Sequence, residues 1–269
     1  MAKISRRLAT DEPSVNVIQA TGRLILDYMR GAGIALMIMM EGFSRCFDLL
    51  KRRQEVGRQL FIVGVKSFGV TETVAFFTGM ILSLQAGLEL RNYNQEVNVG
   101  LIVSQTMCRE MGPFMTALIV AASVGSAMAA ELGTMKVSEE VDALQVMSIS
   151  PFSYLVMPRM VALLVMVPVL TIYTDIIGII GGGLVANTQL EVAWSAYYQN
   201  VIDHLAMKEI LVGIFKSVVF GIMVGTIACY QGLTTTNGAV GVGQATRRAV
   251  VHSFLIVLIA GYIMTRLFY

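Results

Sequence analysis

The sequence predicts an all-α integral membrane protein, in which an N-terminal helix lies in the membrane interface and five transmembrane helices follow. Three observations carry that prediction. Hydrophobic residues make up 55% of the 269 and charged residues only 14%, proportions far from those of soluble domains. The apolar residues gather into five stretches, each long enough for the roughly 20 residues that a bilayer core demands. Lysine and arginine collect before the first stretch and in alternate connections between the stretches.

Taken in order, residues 1–58 form a separate N-terminal segment. "VIQATGRLILDYMRGAGIALMIMMEGF" interrupts its apolar residues with Arg23, Asp27 and Arg30, and only Gly31 to Met40 are uncharged. Ten residues cannot span, so a helix lying in the interface with its arginines toward water is favoured over a hairpin dipping into the bilayer. No apolar core followed by a small-residue cleavage site occurs here, so no cleaved signal peptide is expected. Residues 59–269 then hold spans near 60–88, 99–131, 160–186, 209–230 and 249–268. Lys3, Arg6, Arg7, Arg23, Arg30, Arg45, Lys51, Arg52, Arg53 and Arg58 hold the N-terminus in the cytoplasm, because a basic flank resists translocation. The connections at 132–159 and 231–248 are then cytoplasmic, the sparsely charged ones at 91–98 and 187–208 are outside, and so is the C-terminus.

Several function classes drop out. The basic residues flank membrane spans instead of forming one soluble face, which excludes nucleic acid. Cys46, Cys108 and Cys229 with His204 and His252 have no metal-binding spacing, so no metal is expected. No phosphate-binding loop of the G-x-x-x-x-G-K-[ST] type occurs, and "GVGQAT" at Gly241 to Thr246 reads as a turn in a loop. The chain is therefore not expected to be an enzyme or to bind a cofactor; if transport is active, a partner hydrolyses the ATP. His252 and Ser253 are sequence neighbours and do not face each other on a helix, which argues against an intramembrane hydrolase.

Charges inside spans mark sites, since each costs about 2.5–3.5 kcal/mol or more at the bilayer centre unless paired or wet. Glu72, Arg109, Glu110 and Lys216 are the four that stand out. Arg109 and Glu110 precede "MGPF", where Pro113 removes a backbone donor, so the second span is expected to break there and line a cavity. Glu110 and Lys216, or Arg109 and Glu110, form either a structural ion pair or a polar ring for a ligand. Small residues recur every fourth position at Ala117, Ala121, Gly125, Ala129 and Gly133, and at Gly213, Ser217, Gly221 and Gly225. These stripes pack either within the chain or between subunits, and "GIIGGG" at Gly178 to Gly183 reads as a packing element.

After the second span, "AMAAELGTMKVSEEVDALQVM" turns from apolar to acidic. Ser138 can cap a helix over about 132–150 whose first turn holds Glu139 and Glu140, before Pro151 forces a stop. Val141, Leu144 and Met147 follow at helical spacing as a face for a docking partner.

"REMGPFMTALIVAASVGSAMAAELGTMKVSEEVDALQVMSISPFSYLVMPRM", from Arg109 to Met160, resembles the signature of the MlaE/YrbE permeases, the membrane subunits of ABC-type phospholipid transporters. "KSVVFGIMVGTIACYQGL" from Lys216 and "GVGQATRRAVVHS" from Gly241 resemble the family's C-terminal half. The resemblance implies a homodimer of five-span subunits in a bacterial inner membrane, with two cytoplasmic ABC ATPases carrying ATP and Mg. It also implies a hexameric MCE-domain protein on the outer side and a STAS-domain protein below. Glycerophospholipid would pass between the inner membrane and an MCE path to the outer membrane, maintaining outer-membrane lipid asymmetry. The lipid cavity corresponds to Leu82, Gln85, Leu90, Arg109, Glu110, Met111 and Lys216, and the ATPase-coupling helix to Glu139, Glu140, Val141, Leu144 and Met147. Ser123 and Gly261 stand where relatives often carry an Arg and an Asp. The competing reading is a stand-alone secondary transporter or channel for an amphipathic anion.

Overall fold

A computed structural model of the protein describes Gly33 and residues 53–269. The expected interfacial helix lies outside the described residues, except that 53–58 belong to the first span's helix. Among the described residues there is no strand. The chain runs through α1 (Arg53–Arg91) and a second span made of α2 (Val99–Thr106), α3 (Gly112–Val120) and α4 (Ser126–Val137). Next come a short α5 (Glu140–Val146), α6 (Met157–Gln189), α7 (Trp194–His204), α8 (Met207–Leu233) and α9 (Gly238–Phe268). Among the described residues five helical segments are long and apolar enough to cross a membrane, and each contains one of the spans drawn from the sequence.

The differences lie beyond the apolar cores. Gly241 to Thr246, expected in a loop, form the first turns of α9. Their glycines weaken helix propensity by about 1 kcal/mol each, yet packing of α9 along α4 keeps the helix continuous, and Gly241 sits so close to the Thr236 carbonyl that a Cβ would collide with it. The connection 187–208 is likewise not a plain loop. It holds α7, whose Tyr197 is 2% exposed and donates its hydroxyl to the Ile179 carbonyl at 2.9 Å. Burial pushes that phenol above its ordinary range, so it remains a donor. Asn200 of α7 accepts from the Leu101 backbone N–H at 2.6 Å, tying α7 to the start of the second span.

α1 lies along α6, α6 along α8, and α8 along α9, while the second span touches all four. Such contacts need small residues where backbones meet, because apolar side chains gain little by leaving lipid for protein. At the α1–α6 crossing a Cβ on Gly79 would fall 1.8 Å from the Gly178 carbonyl oxygen. Both small-residue stripes are buried within this chain: Gly125 faces Val224, and Gly221 and Gly225 face Leu163. The "GIIGGG" segment packs as expected, with Gly181 against Phe76 and Gly183 against Trp194.

At the end of the bundle that carries α5, Leu132, Leu155, Val156, Met160 and Cys229 form a core that also takes in Val141, with Leu144 packed on it. One residue of the expected docking face, Val141, is taken up by the chain itself. Val141 is 4% exposed and belongs to the chain's own core, whereas Val146 is 86% and Met147 61% exposed. Ser138 does not cap α5. Glu139 is the N-cap, in a left-handed conformation (φ 60°) with no side-chain cap bond, and α5 ends at Val146, before Pro151. Two ion pairs anchor this end: Lys136 with Asp142 at 2.7 Å and Arg159 with Glu131 at 2.7 Å.

Candidate functional site

Pro113 sets the geometry of the site. It has no N–H to donate to the carbonyl of residue 109, so an ordinary α-helix cannot pass through this point with its bonds intact. The expected outright break does not occur. The helix widens instead into a π-turn at Met107–Met111, with the Gly112 N–H reaching back to the Met107 carbonyl, and continues as α3. Widened turns of this kind concentrate at functional sites.

α8 docks onto the widened turn. Gly213 comes so close that a Cβ would fall 2.1 Å from the Cys108 carbonyl oxygen. One turn further along, Lys216 Nζ donates to the Arg109 carbonyl at 2.9 Å, the acceptor that Pro113 cannot serve. The same ammonium donates to Glu110 Oε1 at 2.5 Å and to Thr265 Oγ1 of α9 at 2.9 Å. The Thr265 hydroxyl in turn lies 2.7 Å from Glu110 Oε1 and 2.8 Å from the Gly261 carbonyl, and its one proton serves one of them at a time. Lys216 is 1% exposed and all three of its protons have acceptors. Removing Glu110 would leave the buried ammonium without its carboxylate, at about 3–5 kcal/mol, whereas removing Lys216 leaves a carboxylate that is 35% exposed and costs less.

Arg109 turns the other way. Its Nη2 pairs with Glu209 at the start of α8, and its guanidinium stacks over the Tyr269 ring at 4.6 Å, which Lys208 also approaches at 5.0 Å. The side chain of Arg109 is 33% exposed and that of Glu110 35%, against 6% for Glu209. Two buried charges, Lys216 and Glu209, therefore hold two accessible ones of opposite sign on consecutive residues.

The structure thus brings Arg109, Glu110 and Lys216 together, as expected, and adds Glu209, Thr265 and Tyr269, which the sequence reading did not select. Glu209 carried a signal, since it lies seven residues, two helical turns, before Lys216. Met111 follows in the widened turn and is half-buried. On α1, Leu82 is half-buried, Gln85 is exposed and Leu90 packs with Val99, Leu190 and Tyr197. Among the described residues no hydrogen bond or ion pair ties Leu82, Gln85 or Leu90 to the charged group. Glu139, the N-cap of α5, and Glu140, its first residue, are both exposed. Ser123 bonds within its own helix, to the Ile119 carbonyl at 2.7 Å, so neither it nor Gly261 leaves a charge unpaired.

Among the described residues, four further apolar spans pack against a charged, proline-widened second helix, the architecture of a multi-pass α-helical membrane protein. The Permease MlaE family model matches residues 56–267, and the chain belongs to that family. It is 39% identical to a probable ABC transporter permease protein of Rickettsia prowazekii and 32% identical to the intermembrane phospholipid transport system permease protein MlaE of Haemophilus influenzae. Each alignment covers 95% of this chain and 98% of the relative. It is also 34% identical to the chloroplastic protein TRIGALACTOSYLDIACYLGLYCEROL 1 of Arabidopsis thaliana, over 79% of this chain and 61% of that protein.

Proposed function

We propose that this chain is the permease subunit of an ABC transporter that moves glycerophospholipids between a bacterial inner membrane and an MCE-protein path to the outer membrane, and so maintains outer-membrane lipid asymmetry. The observation that carries the reading is the pairing of accessible Arg109 and Glu110 on a widened turn whose buried supports, Glu209 and Lys216, fix both. A phospholipid headgroup is a phosphate linked to a cationic or hydrogen-bonding group. Arg109 suits the phosphate, as a planar guanidinium does, and Glu110 suits the other group, while Leu82, Gln85, Leu90 and Met111 meet the acyl chains or glycerol. Lys216 acts as a positioning residue in this geometry.

The subunit works as a homodimer, with the N-terminus cytoplasmic and the C-terminus periplasmic. Two ABC ATPases dock on α5 through Val146, Met147 and the acidic flank Glu139–Glu140; Leu144 and Val141 support that helix from behind. A hexameric MCE-domain protein receives lipid on the outer side, and a STAS-domain protein binds on the ATPase side. Any ATP and Mg are held by the ATPases. The name of the Haemophilus relative supports the phospholipid substrate, and that of the Rickettsia prowazekii relative, a probable ABC transporter permease, supports a place in an ABC transporter.

The test is purification of the membrane complex in native lipid, followed by identification of co-purified protein and lipid by mass spectrometry. An ABC ATPase and one or two tightly held phospholipids are expected. Uptake of an amphipathic anion driven by an ion gradient, with no ATPase, would favour a secondary transporter instead.

A further inference from the structure

A second group of charges lies apart from the Lys216 cluster. Glu72 of α1 and Asp175 of α6 are 7% and 8% exposed, and these two helices pack along each other. Both carboxyl oxygens of Glu72 and Oδ1 of Asp175 have no hydrogen-bond partner among the described residues. Each acid lies three residues, about one turn, before a point where the two helices touch, since a Cβ on Gly178 would fall 3.4 Å from the Ala75 carbonyl oxygen.

The second span is shaped around Asp175. Gly112 follows the widened turn directly, and a Cβ there would fall 1.7 Å from Asp175 Oδ1, so the carboxyl occupies the space a side chain would take. Beside it, Thr174 of α6 and Thr116 of α3 share a hydrogen bond of 3.0 Å, and both are fully buried. Buried polar groups thus gather where α1, α3 and α6 pack on one another.

The groups that could neutralise the acids are otherwise engaged. Lys66 of α1 is exposed. Arg109 of the second span pairs with Glu209 of α8, and Lys216 of α8 with Glu110. Arg159 of α6 pairs with Glu131 at the α5 end. The second span also presents Cys108, a buried thiol. Two ionised carboxyls buried on adjoining helices face both desolvation and mutual repulsion.

We propose that Glu72 and Asp175 form a proton-binding site, in which the closed bundle holds at least one of the two as the neutral acid and gives up the proton when α1, α6 and the widened turn part. Neither acid is a proposed headgroup residue, so the proposal does not rest on the lipid reading, although the widened turn beside Asp175 also carries Arg109 and Glu110. Its consequence is that a conformational step that separates these elements becomes sensitive to pH.

The experiment is infrared spectroscopy of the full-length protein in lipid nanodiscs, titrated from mildly acidic to alkaline pH in H₂O and D₂O. Wild type should show a deuterium-sensitive carboxylic C=O band at neutral pH that disappears on alkalinisation. The band should be lost in Glu72→Gln/Asp175→Asn. If that variant does not fold, labelling of wild type by a hydrophobic carbodiimide, which attacks only protonated carboxyls, should map to Glu72 or Asp175. Thermal stability gives the sign independently. A folded state that binds more protons than the unfolded one loses stability as pH rises, so wild type should weaken toward alkaline pH more than the double variant. The absence of any such band in wild type at every pH would overturn the proposal, as would stabilisation by Na⁺ but not by choline that the double variant abolishes, since a metal cation would then hold the ionised pair.

Discussion

Lys216 donates to the backbone carbonyl of Arg109, the acceptor left without its helical donor by Pro113 four residues on. Proline frees the carbonyl, the widened turn exposes it, and the close approach allowed by Gly213 lets α8 deliver the ammonium. Backbone irregularity at membrane depth persists only where protein satisfies it, and one lysine here satisfies both a backbone carbonyl and a carboxylate.

That relationship makes Pro113 and Lys216 thermodynamically coupled. Lys216→Met should cost about 1–3 kcal/mol, chiefly by leaving the Arg109 carbonyl without a donor, since Glu110 is partly accessible to solvent. In a Pro113→Ala background the carbonyl regains a backbone donor, so the same change should cost less, by about 1 kcal/mol. A double-mutant cycle by thermal unfolding in nanodiscs measures the difference, and strict additivity would mean that the lysine does not serve the proline's orphan.

Gly213 should tolerate no side chain. A methyl group there meets the Cys108 backbone instead of a movable side chain, so Gly213→Ala should destabilise by about 1–3 kcal/mol and Gly213→Val by more. Gly243→Ala, where nothing lies within 4 Å of the added carbon, is the control and should be neutral or stabilising.

Val141 and Val146 separate folding from docking on α5. Val141→Asp places a carboxylate in the chain's own core and should lower stability by several kcal/mol. Val146→Asp should leave the chain folded while the ATPase is lost on purification. Leu144→Asp should do some of both, because Leu144 packs on the core from the edge of α5. Unfolding temperature and ATPase recovery, read together for the three variants, check the assignment.

Tyr197→Phe should cost about 1 kcal/mol, the net worth of its neutral hydrogen bond to the Ile179 carbonyl, with little change in packing. Thermal unfolding measures it. Because burial keeps the phenol protonated, the loss should be the same at neutral and mildly alkaline pH.

The five spans were legible because hydropathy reports membrane burial directly, and Lys216, Arg109 and Glu110 because charge within a span is expensive. Pro113 announced an irregular helix, but the sequence could not distinguish a broken helix from a widened one: proline removes one donor, and whether the carbonyl finds another depends on Lys216, a hundred residues later. α7 and the first turns of α9 escaped because they are held by tertiary contacts, the Asn200 and Tyr197 bonds and packing on α4, which local propensity does not encode. Val141 shows the limit of periodicity: spacing marks an apolar face but does not say whether the partner is another protein or the chain's own Leu132 and Met160.

The central claim, that Arg109 holds a phospholipid phosphate and Glu209 serves to hold Arg109, is tested most directly by lipid occupancy in a charge-paired double variant. Arg109→Gln alone strands buried Glu209, so lost lipid could be lost fold. In Arg109→Gln/Glu209→Gln no buried charge is stranded, and stability should recover. Native mass spectrometry of that variant should show a folded protein with much less bound phospholipid than wild type; wild-type phospholipid occupancy would contradict the account.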